Sequence, residues 1–240
     1  MDDATPNEQA EQGAAARELP PIQAMPIPVT ALQQNCTLVW CTKTRKAAII
    51  DPGGEVPKLL DAVQQLGLTL EKIWITHAHL DHAGGAALLK DLTGVPIEGP
   101  HKDDQFWIDQ IESSGARWGL PDARAFVPDR WLDDGDRVTL GETEFEVYHC
   151  PGHTPGHVVF FHREARLAQV GDVLFRGAIG RWDFPRGDFG DLIISIIGKL
   201  WPLGDDVTFI PGHNEVSTFG RERRTNPYVS DEALEMMRPK

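Results

Sequence analysis

Within Thr76-His77-Ala78-His79-Leu80-Asp81-His82 stand three histidines and a carboxylate. Neutral imidazole and carboxylate are ligands for zinc, iron or manganese. Neither a packed core nor a surface turn calls for so many such groups so close together. The apolar run Ile73-Trp74-Ile75 ahead of them reads as a short buried strand, and Ala83 to Leu89 behind them as the start of a helix. The cluster therefore falls at the carboxyl end of a strand, where open α/β sheets gather their ligands. In an extended turn His77 and His79 point to one side and can share an ion, while Asp81 and His82 turn away and can serve a second. This is a metal site.

Three further residues occupy strand ends in the same way. His153 lies in Cys150-Pro151-Gly152-His153-Thr154-Pro155-Gly156-His157, Asp172 in Val170-Gly171-Asp172, and His213 in Phe209-Ile210-Pro211-Gly212-His213. Each follows an apolar strand and a glycine, which lets the backbone bend sharply and bring the side chain to one sheet edge. Singly, each would be an ordinary turn or capping residue. Together with the cluster they supply what a two-metal site lacks, with His153 completing one ion and a carboxylate free to bridge. His149, His157 and His162 are weaker candidates, read as supports or surface groups rather than ligands.

The elements that must position these side chains follow from the hydrophobic pattern. Strands are expected at 27–29, 36–41 and 47–50, then a helix whose Val56, Leu59, Leu60, Val63 and Leu66 share a face and which Gly67 stops. A brief strand at 95–98 and a helix from His101 to Ser114 come after the cluster. An irregular stretch over 115–131 then carries Trp118, Phe126 and Trp131. Such a loop is either a lid over the metal cleft or a segment pinned to the core by its rings. Further strands are expected at 137–140, 144–149, 158–162 and 167–171.

Residues 1–22 are rich in Ala, Gln, Glu and Asp and end in Pro20-Pro21, which predicts a disordered leader without a catalytic role. Residues 23–240 are expected to form one domain. The formal charge of -13 argues against nucleic acid and anionic membrane as partners. Cys36, Cys41 and Cys150, odd in number and without CxxC spacing, read as reduced thiols. With no apolar stretch long enough to span a bilayer and no secretion signal at the amino terminus, the expected location is the cytoplasm.

The order HxHxDH at 77–82, followed by His153, Asp172 and His213, resembles the metallo-β-lactamase fold superfamily over residues 25–227. Within it, His153-Thr154-Pro155-Gly156-His157 and Gly171-Asp172-Val173-Leu174-Phe175 are similar to the glyoxalase II (hydroxyacylglutathione hydrolase) group. Ile179-Gly180-Arg181 and Arg223-Arg224-Thr225-Asn226-Pro227 point to its short bacterial branch, which lacks the carboxy-terminal helical domain. The resemblance implies an α/β fold, the four-layer αββα sandwich, and two divalent ions, zinc first and iron or manganese next. It places one ion on His77, His79 and His153, a second on Asp81, His82 and His213, and Asp172 between them. It also implies a small-molecule thioester substrate bearing glutathione, S-D-lactoylglutathione, hydrolysed to D-lactate and glutathione. Asp81 would orient the hydroxide held between the ions. Arg181 stands where the family has a lysine that contacts glutathione, and it remains cationic.

Two rivals follow from other classes. A persulfide dioxygenase shares the fold and holds a single iron through the counterparts of His77, His153 and Asp172; it often has Cys where this chain has His157. The non-enzyme alternative is a metal-stabilised binding module.

Overall fold

Two sheets face each other through a layer of large apolar side chains, and this layer explains why so many strands read as unbroken apolar runs. The structure, a computed structural model, describes residues 19–237. The first sheet has the order β1 (Ile22–Val29), β2 (Gln34–Cys41), β3 (Lys46–Ile50), β4 (Thr69–Trp74), β5 (Ile97–Glu98). Its first three strands pair antiparallel, and β4 joins β3 and β5 in parallel. The second sheet contains β6 (Arg137–Leu140), β7 (Thr143–His149), β8 (Val158–His162) and β9 (Leu167–Gly171). A small hairpin, β10 (Leu174–Phe175) with β11 (Ala178–Ile179), precedes its last strands, β12 (Thr208–Pro211) and β13 (Ser217–Thr218). The order is β13-β12-β9-β8-β7-β6, with β12 and β9 parallel and every other pair antiparallel.

Between the sheets, Val39, Ile50 and Trp74 meet Phe145, Val147 and Phe160. The Trp74 ring stacks on Phe160 at 5.2 Å between centroids and stands edge-on to Phe145 at 5.0 Å. Its indole N–H donates to Glu98 Oε2 at 2.9 Å, so this fully buried ring leaves no polar atom unmet. Alternate residues point outward. Leu38, Ile49 and Ile73 pack under α1 (Val56–Gln65), α3 (Ala86–Thr93) and α5 (Ile111–Trp118), which follow α2 (Leu80–Ala83) and α4 (Gln105–Ile108) in their turns. On the far side Val159, Phe161, Val170 and Phe209 pack under α6 (Phe189–Ser195), its π-helical continuation Ile196–Leu200 and α7 (Phe219–Thr225). A last helix, α8 (Asp231–Met237), contacts α7. The layers run helix, sheet, sheet, helix, as the αββα expectation requires.

Three expectations are corrected in detail. The first strand starts at Ile22, well before 27, and so includes Pro26 and Pro28; β1 is an edge strand paired only with β2, where a missing N–H is tolerated. The expected leader otherwise lies outside the described residues up to residue 18. The helix expected over 101–114 is divided into a 3₁₀ turn at Lys102–Asp104, α4 and α5. Asp104, Ile108 and Ile111 stay buried through the breaks, so the apolar signal persists where the helix does not. The irregular stretch begins after Trp118: Phe126 is buried and Trp131 packs on the first core, while Trp118 is exposed at the end of α5. Most of that segment is thus pinned. All three cysteines are buried free thiols. Among the described residues no helix is long and apolar enough to cross a membrane.

Because Phe160 fills the middle of the intersheet layer, Phe160→Ala should lower the unfolding free energy by roughly 3–5 kcal/mol. A urea titration with unchanged slope would read this as a shifted midpoint.

Candidate metal centre

Strand direction places the candidate ligands. In the second sheet β8 alone separates β7 from β9 and runs opposite to both, so β7, β9 and β12 all end at one edge. Beyond these ends come His153, Asp172 and His213. In the first sheet β3 and β4 are parallel, and past their ends come Asp51 and the run from Thr76 to His82. The two edges are stitched together by backbone. Val158 N–H donates to Thr76 O at 2.8 Å, Asn35 N–H to Gly212 O at 2.7 Å, and Gly212 N–H to Gly171 O at 2.8 Å. A side chain at 212 would run into the Asp172 carboxylate and the His82 ring, so glycine lets this strand end approach.

All seven expected residues are brought together, six of them as two triads and Asp172 between. His79 Nδ1 lies 3.2 Å from His77 Nε2 and 2.9 Å from His153 Nε2. Asp81 Oδ2 lies 3.1 Å from His213 Nε2 and 3.8 Å from His82 Nε2. Asp172 spans the two groups: its Oδ2 is 3.6 Å from His153 Nε2 and 3.8 Å from His213 Nε2, and its Oδ1 is 3.4 Å from His82 Nε2. Each triad presents donor atoms close enough together to hold one ion.

The donor chemistry fits a metal. His82 Nε2 and Asp172 Oδ1 are buried without a hydrogen-bond partner, and such atoms are rare unless something else satisfies them. Burial and the neighbouring His82 hold His77 well below the usual histidine range, and burial with His153 brings His79 down to about 3. Burial likewise lowers His153. The first triad is therefore three neutral imidazoles, the form that binds metal. The second is different. Burial pushes His82 down, but Asp172 and Asp81 beside it carry it well above the usual range. The two acids make this the part of the cluster that most favours positive charge.

Three of the imidazoles, His77, His82 and His153, are aimed by a partner on the other nitrogen. His82 Nδ1 donates to Asp51 Oδ2 at 2.9 Å. Asp51 also accepts from Thr76 N–H at 2.7 Å and from the Thr76 hydroxyl at 2.6 Å. That hydroxyl in turn accepts from His77 Nδ1 at 3.1 Å. His153 Nδ1 donates to Arg181 O at 2.7 Å. The fully buried His157 accepts from Asp172 N–H at 3.0 Å and stacks on His77 at 4.6 Å; it is a support, as expected. His149 stacks on His101 at 4.2 Å, and His162 contacts Thr143, both away from the triads. Arg181 turns its side chain outward. It is exposed, ion-paired with Asp183, and lies 4.5 Å above the Phe184 ring.

Sequence reasoning missed four contributors. Asp51 carries the signal that singled out Asp172, an acid just past an apolar strand, and could have been found by it. Asp104 had no signal: buried, and pushed up to about 6 by that burial, it accepts from Ala78 N–H at 2.9 Å, the Thr154 hydroxyl at 2.9 Å and Gly156 N–H at 2.6 Å. It thereby ties the His77–His79 turn to the His153 loop. Phe184 and Trp107 stand edge-on to His79, with centroids 4.7 and 4.6 Å away.

An αββα sandwich with His/Asp clusters at one edge defines a metallo-hydrolase architecture. The chain belongs to the metallo-beta-lactamase superfamily, whose family model matches residues 29–213. It is 48% identical to the hydroxyacylglutathione hydrolase GloC of Haemophilus influenzae, over 86% of this chain and 98% of that one. Among solved structures it is similar to a B3 metallo-beta-lactamase, BLEG-1, with 32% identity and a TM-score of 0.79 over 86% of this chain and 99% of that one. It is also similar to a protein crystallised in a di-iron-bound form, with 37% identity and a TM-score of 0.77 over 85% and 99% of the two chains.

Replacing Asp51 by Asn should loosen His82 and, through Thr76, His77, and weaken metal binding by roughly 10–100-fold. Competition against a coloured chelator measures this.

Proposed function

We propose that this metallo-hydrolase cleaves thioesters, with S-D-lactoylglutathione giving D-lactate and glutathione as the leading reaction. The observation that carries the reading is the pair of triads meeting at Asp172. The thioester part draws on the likeness to a hydroxyacylglutathione hydrolase. In this reading His77, His79 and His153 hold one ion, Asp81, His82 and His213 hold the other, and Asp172 bridges. Divalent ions held there would supply a nucleophile from water at neutral pH and a Lewis acid for the carbonyl oxygen. The donor set accepts zinc, iron or manganese, with zinc our first assignment.

The chain's own groups do the rest. Asp81, with its carboxylate on the shared face of the second triad, accepts a hydrogen bond from the attacking water and orients it. Water adds to the carbonyl carbon, the C–S bond breaks, and sulfur leaves with the electron pair and then takes up the water's proton. A cysteine-type thiol has a pKa of about 8.5, so its thiolate departs near neutral pH without a strong acid beside it. Arg181 supplies a cation for a glutathione carboxylate once its pair with Asp183 opens.

Elemental analysis should give about two ions per chain. Chelation should abolish lactoylglutathione hydrolysis, and reloading should restore it. Asp172→Asn should cut kcat/KM by at least about a hundred-fold. A single iron with oxygen uptake on glutathione persulfide and no thioester cleavage would move the assignment to the dioxygenase. Cleavage of a β-lactam without thioester turnover would move it to the lactamases.

A further inference from the structure

Beside the first triad lies a cavity of about 570 Å³. Its walls include Leu32, Leu80, Trp107, Ile111, Trp118 and Phe184, and His79 and Asp81 form the end nearest the candidate metal centre. Thr30, Ser114 and Glu55 supply its polar edge, and no lysine or arginine lines it. Its two acids are Asp81, a ligand in the proposed scheme, and Glu55, paired with Lys58 at 3.2 Å. An anionic tail finds no cation on these walls, and an apolar group is welcomed. Two of the wall residues, Leu32 and Trp118, are 55% and 69% exposed, large apolar surface left open to water at the mouth of a cleft.

A second cavity, of about 550 Å³, is lined by Arg176, Asn214, Glu215 and Arg221, and none of the seven candidate ligands is in its wall. Both its cations are paired, Arg176 with Glu215 and Arg221 with Glu222 at 3.8 Å. A thioester carbonyl at the centre must send its acyl group one way and its thiol carrier another. The apolar cavity beside His79 and Asp81 is suited to the acyl group.

We infer that the apolar cavity is an acyl pocket, and that the preferred substrates are thioesters with aryl or medium-chain aliphatic acyl groups. This rests on the thioester reading above and keeps lactoylglutathione as a substrate, but ranks larger acyl groups ahead of lactoyl. A volume of about 570 Å³ falls within the roughly 300–1,000 Å³ of small-ligand sites, whereas a lactoyl group would leave most of the space to water. The edge-on rings of Trp107 and Phe184 against His79 set an aromatic wall at the start of the pocket, where the first carbons of the acyl group would pass.

The test is a series of glutathione thioesters with the thiol held constant: lactoyl, acetyl, butyryl, hexanoyl and phenylacetyl. The metal-loaded enzyme should show kcat/KM rising by about four-fold per methylene until the pocket is full. Trp118→Ala, at an exposed position where folding is not at risk, should lower the phenylacetyl-to-lactoyl ratio of kcat/KM roughly ten-fold. Fluorine NMR of fluorophenylacetate gives a readout apart from turnover, with a shift on binding that weakens in the Trp118→Ala protein. If thioesters are cleaved but rates are flat or fall with acyl size, the acyl pocket is overturned and the hydrolase reading stands. If no thioester is cleaved, the hydrolase reading falls. Fluorophenylacetate binding that depends on Trp118 would then still support the pocket, and its absence would overturn it.

Discussion

A carboxylate nine-tenths out of water needs positive charge near it, and Asp172 meets that condition with imidazoles alone. It is 8% exposed, with His82, His153 and His213 within 4 Å and no lysine or arginine paired with it among the described residues. Burial raises its pKa, but His82 foremost among these neighbours brings it well below the carboxylate range. Asp81 adds a second acid to the same small volume. His82 Nε2 and Asp172 Oδ1, 3.4 Å apart, are both buried without a hydrogen-bond partner. A divalent ion satisfies several of these atoms at once, which is why the cluster makes physical sense as a metal centre and little sense as packing.

Holding such a cluster requires rigidity that the ligand loops cannot provide themselves. Two buried aspartates that touch no ion in the proposed scheme supply it. Asp51 fixes Thr76 and His82 together, and through the Thr76 hydroxyl it sets the ring of His77. Asp104 clasps the backbone of Ala78 to that of Gly156 across the two sheets' edges. Each acid accepts three hydrogen bonds, so each is expensive to remove and intolerant of a longer side chain. The intersheet layer around Trp74 and Phe160 then fixes the distance between the edges. A shift of one sheet against the other would split each triad, parting His153, Asp172 and His213 from the run that ends at His82.

The parts legible from the sequence were those with dense local signals. HxHxDH names itself in six residues, and the strand-glycine-ligand pattern at His153, Asp172 and His213 repeats three times. The αββα frame followed from a resemblance carried by those same residues. Less legible were features whose cause is tertiary. Pro26 and Pro28 made β1 look short, because nothing local says that a strand lies at an edge. The breaks between Asp104 and Ile111 were hidden by an apolar face that continues across them. The stretch between Phe175 and Phe209, which holds α6 and its π turn, has buried Leu192, Ile196 and Leu200 at helical spacing, yet Gly190 and Gly198 interrupt the pattern. Asp104 is an ordinary acid in a polar run until the chain folds and places it beneath Ala78.

Fold and metal cage do not decide which bond is cut, since relatives of this chain include both a hydroxyacylglutathione hydrolase and a B3 metallo-beta-lactamase. The cage offers the same polarising chemistry to any carbonyl that reaches it. What differs is how the groups flanking that carbonyl are received, and those contacts come from elements outside the ligand loops. Here the turn after β1, the carboxyl half of α5 and the loop bearing Phe184 make one flank apolar. None of these residues is itself a ligand in the proposed scheme. Selectivity therefore resides in the walls. A change at Trp107 or Phe184 acts on both wall and centre, because each ring also packs against His79, whereas Leu32 and Trp118 at the mouth belong to the wall alone.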